Sequence, residues 1–467
     1  MMKKWMTFIS PVFALLVGYS MSLLGHDFQL CAMGGIATLM AFLWVSEVIH
    51  LSYTALLPLV LFPIFGILPA KEVASTYMNS IIMLFVGGFI MAFAMEKWNL
   101  HKRIAFWIIV KMGKTPQGLL FSFMLSSYLL SMLILNTTTV IMLLPATLAI
   151  ISEINISNKK SFGEAILLGL AYAANIGGMT TLIGTAPNLF FAEFFQEKFP
   201  EQAAFDFLNW LIKMAPLTIV LFLSVFLFLR NNYFFKNKEG LQIESLKEKQ
   251  RVLGKISTQE VQVALVFLVA IILWISRPYI LQYAELPRNY IHDGSIAIAM
   301  ALLLYLIPGK EKGQGLVTWQ EFEKIPLGVL LLFGGGFSLA AGIQTSGLGA
   351  LIAEQLNFMG ALPSWLVVLF LAIGMSFFTE ITSNTASTQL ILPILAPLVI
   401  AFNWDASATL LAVTLSASCA FMLPVATPPN TIVFGSGKIS ASNMARVGII
   451  LNLLCAVIIA VYLNLIY

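Results

Sequence analysis

Apolar runs of about helix-spanning length, each closed by a short polar or glycine-bearing break, follow one another along this chain. They lie near residues 6–24, 29–48, 51–68, 79–113, 208–230, 259–276, 291–307, 327–346 and 444–466. A hydrocarbon core about 30 Å thick takes roughly 20 apolar residues per helix, so these runs predict membrane-spanning helices rather than a soluble core. Between the second and third runs stand Glu47 and His50, read either as an interfacial corner or as part of a proton relay.

Four further apolar segments are interrupted in the middle. Residues 118–152 carry Asn136-Thr137-Thr138-Thr139, and 362–402 carry Ser383-Asn384-Thr385. In both, an Asn-Thr pair precedes a Leu-Pro by the same interval, giving an uncapped helix start after a short polar tip. The arms are too short for two comfortable spans with a wet loop between them, which predicts re-entrant hairpins. Residues 164–195 are broken by Gly177-Gly178, Gly184 and Pro187, and residues 405–436 by Thr427-Pro428-Pro429, the pattern of discontinuous helices. Irregular backbone at membrane depth is tolerated only where it is buried in protein or lines a watery cavity, so the tips and breaks are expected to face a site.

These features come in pairs. Asn384 lies 248 residues after Asn136, and Phe337 lies 248 after Phe89, within Leu84-Phe85-Val86-Gly87-Gly88-Phe89 and Leu332-Phe333-Gly334-Gly335-Gly336-Phe337. Beyond the hairpins the register slips by six, and Gly184-Thr185-Ala186-Pro187-Asn188 answers Ala426-Thr427-Pro428-Pro429-Asn430. Two halves carrying matched motifs constitute an internal repeat. Ser, Thr and Asn can also serve only as glue between helices, at about 0.6 kcal/mol each; four clusters in matched pairs exceed what that explains.

Composition agrees: of 467 residues, 59% are hydrophobic and 10% charged, with a mean hydropathy of +0.90. The net charge of +4 is too small to imply nucleic acid and instead reports topology. Lys3 and Lys4 place the N-terminus in the cytoplasm, and the run from Trp5 reads as a retained first helix, since no small-residue cleavage site follows. Lys111, Lys114, Lys159 and Lys160 flank the first hairpin, whereas the second has no basic residue at either end, so the two enter from opposite faces and the repeats are inverted. Cys31, Cys419 and Cys455 have no paired spacing and imply neither disulfide nor metal cluster.

The chain is thus predicted to be an all-α polytopic membrane protein with about eleven transmembrane helices, two hairpins and two discontinuous helices. Its organisation is expected as scaffold helices 1–78, first transport elements 79–230, a cytoplasmic linker 231–258, second scaffold helices 259–326 and second transport elements 327–467. Half-helix N-termini present N–H groups to an anion, while unwound carbonyls and hydroxyls suit a small hard cation. Glu380, an acid beside the second tip, is either functional or bonded to backbone. Two other classes are weighed. An intramembrane enzyme would centre on Ser436, between Gly435 and Gly437, but His26, His50, His101 and His292 fall in or near loops or span ends, leaving that serine no base. A channel would show single-channel currents.

At its doubled tips and Thr-Pro-Asn-type breaks the chain resembles the divalent anion:sodium symporters, relatives of the sodium-coupled dicarboxylate and citrate transporters. The resemblance covers nearly the whole length. It implies a homodimer whose transport domain carries the site across a bacterial inner membrane by an elevator motion, with no catalytic residues and no nucleic-acid partner. It also implies that Asn136, Thr137, Thr185, Asn384, Thr385 and Thr427 contact a small dianion such as succinate, fumarate or malate, with citrate and sulfate as alternatives. Sodium ions would be held by Ser131, Asn136 and Gly184 at one site, and by Thr379, Ser383, Asn384 and Ala426 at the other. Where the family has the first serine of the first triplet, this chain has Leu135. That removes a hydroxyl ligand, so the first site is either rebuilt around Ser131 and Thr138 or lost, leaving sodium-independent exchange as the alternative mode.

Overall fold

A computed structural model describes residues 2–153, 159–233, 248, 250–287, 290–311 and 313–467. Most of the predicted linker, with Lys236, Lys238, Lys247 and Lys249, lies outside the described residues. The first half contains α1 (Met2–Leu23), α2 (Phe28–Ser46), α3 (Leu51–Ala55), α4 (Leu57–Ile64), α5 (Ala70–Ser75), α6 (Ser80–Lys97) and α7 (Leu100–Met112). It continues through α8 (Pro116–Ser131), α9 (Asn136–Glu153), α10 (Lys159–Thr180), α11 (Ala186–Lys198) and α12 (Phe207–Asn232). The second half contains α13 (Thr258–Tyr283), α14 (Asp293–Leu306), α15 (Trp319–Phe322), α16 (Leu327–Ser346) and α17 (Leu348–Gln355). It ends with α18 (Ser364–Phe378), α19 (Asn384–Phe402), α20 (Ala406–Ser416), α21 (Pro428–Gly435) and α22 (Ala441–Ile466). Among the described residues the only β pairing is an isolated bridge between Pro308 and Gly315.

The repeat is visible in the packing. Helices α6 to α12 recur as α16 to α22, and the matched phenylalanines Phe85 and Phe333 meet edge to face with ring centroids 5.5 Å apart. Equivalent residues in contact place the pseudo-symmetry axis between α6 and α16. The glycines beside them permit close approach to the opposite half: a methyl on Gly87 would strike the backbone of Ala297 in α14, and one on Gly335 that of Ala55 in α3. The halves also interlock, with α11 packing on α19 and α20, and α21 on α9 and α10. Neither half can bury its half-helix alone.

Burial separates the centre from the rim. Among the described residues nine helices are long and apolar enough to cross a membrane, and shorter apolar helices lie between them. Some 94% of the most apolar stretch of α10 is buried, against 28% of that in α13, which makes α10 a central helix and α13 a lipid-facing one. Such an outward apolar face is stable only in a hydrocarbon surround, so the protein is integral to a membrane. Polar caps fix many helix starts: Thr115 accepts from Gly118 N, Asp206 from Asn209 N, and Asp405 from Ala408 N.

Several expectations need correction. Gly177 and Gly178 do not break α10, which stays helical to Thr180; Gly177 packs on the backbone of Tyr128 and Gly178 on the Asn136 amide, so both serve close approach of the hairpin to the helix. The run 51–68 divides into α3 and α4, and 79–113 into α6 and α7, where Asn99 adopts φ 57°. The span predicted to end at 276 continues to Tyr283, carrying helix through Pro278.

Candidate functional site

The two hairpin tips and the two breaks converge on one cavity of about 510 Å³. Its wall includes Asn136, Thr137, Gly184, Thr185, Ser383, Asn384, Thr385, Ala426 and Thr427, which covers all six residues expected to contact substrate. Among the described residues no lysine or arginine lines it, and the one carboxylate on its wall is Glu47. Ser131 and Thr379 do not reach the cavity; both are fully buried behind the tips.

The backbone explains why polarity gathers there. Helices α9, α11, α19 and α21 all begin at the cavity edge. Thr185, Ser383 and Thr427 are extended, so each chain arrives straight and then turns into helix; Pro187, Pro428 and Pro429 carry no N–H, so the free first-turn N–H groups belong chiefly to α9 and α19. The Thr185 and Ser383 side chains make no cap bond, whereas Thr427 Oγ1 accepts from Asn430 N at 3.3 Å. Four helix starts aimed at one space create a positive field without a cationic side chain.

The two candidate cation sites differ. At the first, Ser131 Oγ and Asn136 Oδ1 are buried without a hydrogen-bond partner. At the second, the matched Thr379 Oγ1 lies 2.6 Å from Asn384 Oδ1 and 3.1 Å from Ala417 O, donating toward them. Buried acceptors left unpaired are costly, and a sodium ion takes such neutral oxygens as ligands. The residues of the first site therefore fit a cation even with Leu135 beside them. Leu135 itself lines the cavity and is 38% exposed, standing where the second tip has Ser383.

Glu380 is assigned by its contacts. Its carboxylate accepts from Met422 N and Leu423 N, both at 2.8 Å, and from Asn452 Nδ2 at 2.6 Å. It fastens the second hairpin to the second break and does not line the cavity. Ser436 caps α21, donating to Val433 O. Glu47 ends α2 at φ 46° and His50 Nδ1 accepts from Ser52 N at the start of α3, so the pair forms a corner between helices. Among the wall residues that were not anticipated are Asn175 and Glu47. Asn175 donates to Thr427 Oγ1 at 3.3 Å and thereby joins the halves; its signal, an amide in an otherwise apolar helix, was present but unmatched in the second half. Glu47 reaches the wall only through tertiary folding.

Paired hairpins and paired broken helices around a polar chamber, inside an apolar helical body, define a membrane transporter of the inverted-repeat class. Solved structures share that fold: the Alcanivorax borkumensis YdaH transporter (TM-score 0.60, 14% identity, covering 85% of this chain and 88% of that one) and Neisseria gonorrhoeae MtrF (TM-score 0.58, 14% identity, 84% and 82%). The family model described as "Sodium:sulfate symporter transmembrane region" matches residues 3–467. A protein of Staphylococcus saprophyticus named sodium-dependent dicarboxylate transporter SdcS is 42% identical over 429 residues, 89% of this chain and 82% of that protein; the Staphylococcus aureus protein of the same name is 40% identical over the same shares. The chain belongs to this sodium:sulfate symporter family, the divalent anion:sodium symporters.

Proposed function

We propose that the protein is a secondary active transporter of small dicarboxylates, foremost C4 acids such as succinate, fumarate and malate, driven by sodium. The observation that carries this reading is one cavity lined by both Asn-Thr tips and both Thr breaks and edged by four helix starts, with no lysine or arginine on its wall among the described residues. The names of the 42% and 40% identical relatives support the substrate class and the coupling ion.

In this reading Asn136, Thr137, Thr185, Asn384, Thr385 and Thr427 donate hydrogen bonds to the two carboxylates. Ser131, Asn136 and Gly184 hold one sodium ion, and Thr379, Ser383, Asn384 and Ala426 a second. Dipoles alone leave a dianion under-compensated, so bound sodium raises anion affinity and the anion in turn raises sodium affinity, as linkage requires. Chemistry on the substrate is not needed; the work done is translocation. Residues 79–230 and 327–467 form the moving part, residues 1–78 and 259–326 the scaffold, and two copies assemble in a bacterial inner membrane with the N-terminus inside. In that topology the wall residues Glu47, at the end of α2, and Pro326, after the polar segment 309–324, lie toward the cytoplasmic face, which favours a cavity open inward.

Uptake of radiolabelled succinate by purified protein in liposomes tests this. With sodium outside and empty vesicles, sodium-dependent uptake is expected. Uptake only into succinate-loaded vesicles, indifferent to sodium, would instead establish exchange and implicate Leu135. Preferential transport of citrate or sulfate would move the substrate class.

A further inference from the structure

Two buried asparagines hold the two helix breaks in the same way. Asn188 Nδ2 donates to Gly178 O at 3.0 Å and Thr181 O at 2.8 Å; Asn430 Nδ2 donates to Ala420 O at 2.9 Å and Leu423 O at 3.1 Å. Each reaches back ten and seven residues, and every member of the first set recurs 242 residues later in the second. Both side chains are fully buried, and the Oδ1 of each has no hydrogen-bond partner.

A second tie recurs at each break. Thr181 Oγ1 donates to Met132 O in the first hairpin, while Leu423 N donates to Glu380 Oε2 in the second. Met132 and Glu380 are matched positions, as are Thr181 and Leu423, so the contact is kept although side chain and backbone have exchanged roles. A contact preserved through different chemistry marks a geometry that both halves require.

The last carbonyls of a helix lack intrahelical partners, and buried ones left unpaired are costly. Gly178 O is such a helix-end carbonyl, whereas Thr181 O, Ala420 O and Leu423 O belong to the break itself, and each asparagine donates to two of these four from the half-helix beyond. It thereby fixes the separation of the two half-helices and the path of residues 181–185 or 423–427 between them. Gly184 and Ala426 lie on those paths. At the first break the clamped segment also touches the hairpin tip: a Cβ built on Gly178 would meet Asn136 Oδ1 at 2.7 Å and Gly184 O at 3.2 Å.

We propose that Asn188 and Asn430 are positioning residues, one for each sodium site, that hold the break carbonyls at ligating distance without touching the substrate. This rests on the sodium sites proposed above. A purely structural role would lower stability in both variants and leave the sodium dependence where it was.

The test compares N188L and N430L, which keep the branched shape and lose the donor, with N188S and N430S, whose small polar side chains keep a folded series if the leucines do not fold. Two readouts are needed: the sodium dependence of succinate uptake in liposomes, and the shift of the unfolding temperature of purified protein with sodium alone. Loss of an orienting partner behind a metal ligand costs about 10-fold to 100-fold in affinity. The expected result is a rise of that order in half-saturating sodium in both readouts, with maximal uptake restored at saturating sodium. Folded variants with unchanged half-saturating sodium would overturn the proposal. If wild-type protein fails to transport succinate, the proposed substrate falls, while the sodium-dependent unfolding shift still decides the clamps; a wild type that sodium does not stabilise would sink the clamps as well.

Discussion

At the scale of single residues, the two halves of the site are not equivalent, and Leu135 is the reason that can be tested directly. Leu135→Ser places a hydroxyl where the second tip has Ser383. A hydrogen-bonding ligand gained is worth about 1 kcal/mol, so half-saturating sodium for succinate uptake is expected to fall about fivefold, read from the sodium dependence of initial rates. Thr385→Ala removes a donor to a carboxylate. Bonds to charged groups contribute about 1.5–3 kcal/mol, which predicts at least about a tenfold rise in half-saturating succinate with little change in sodium dependence at saturating substrate. Glu380 carries the opposite lesson: an acid within an apolar segment is a functional suspect by default, yet here its oxygens are occupied by Met422 N, Leu423 N and Asn452. No spacing within one hairpin could announce partners more than forty residues away in sequence.

At the scale of elements, interrupted helices were legible because the interruptions use residues with local consequences. Pro187 and Pro429 occupy first turns, where a missing N–H costs nothing, and Asn-Thr starts cannot sit comfortably in mid-helix. Glycine was read less well, since it serves both breaks and contacts. Gly177 and Gly178 proved to be contacts rather than breaks, whereas the matched Gly87 and Gly335 serve close helix approach as expected of a glycine cluster between helices. The matched pair gives a prediction: Gly87→Ala and Gly335→Ala each force a methyl into the backbone of a facing helix. Such overpacking costs about 1–3 kcal/mol, and both variants are expected to unfold at lower temperature in detergent, by similar amounts if the pseudo-symmetry is real in energy as well as shape. Gly374→Ala, where nothing lies within 4 Å of the added carbon, serves as the control and is expected to be neutral or slightly stabilising.

At the scale of the whole molecule, interlocked half-helices make the two repeats one folding unit and bring four chain breaks to one chamber. Accessibility of that chamber can be measured because Cys31, Cys419 and Cys455 are all buried. Val425 is 77% exposed on the cavity wall, so Val425→Cys is expected to react with a membrane-impermeant maleimide while the wild type stays unlabelled. Reaction is expected from the cytoplasmic side, slowed by sodium with succinate; reaction from the outer side alone would reverse the assigned orientation.

The sequence by itself determined the environment, the helix count to within the short segments, the repeat, both hairpins, both breaks and the six tip and break residues that meet on the cavity wall. Those properties follow from hydropathy and from local backbone preferences, which are written in neighbouring residues. Only the tertiary structure decided that Ser131 and Thr379 lie behind the wall, that Asn188 and Asn430 clamp the breaks, that Glu47 joins the chamber, and that Phe85 meets Phe333. Each of those depends on which helix lies against which, set by packing over hundreds of residues of separation, and no local pattern carries that information.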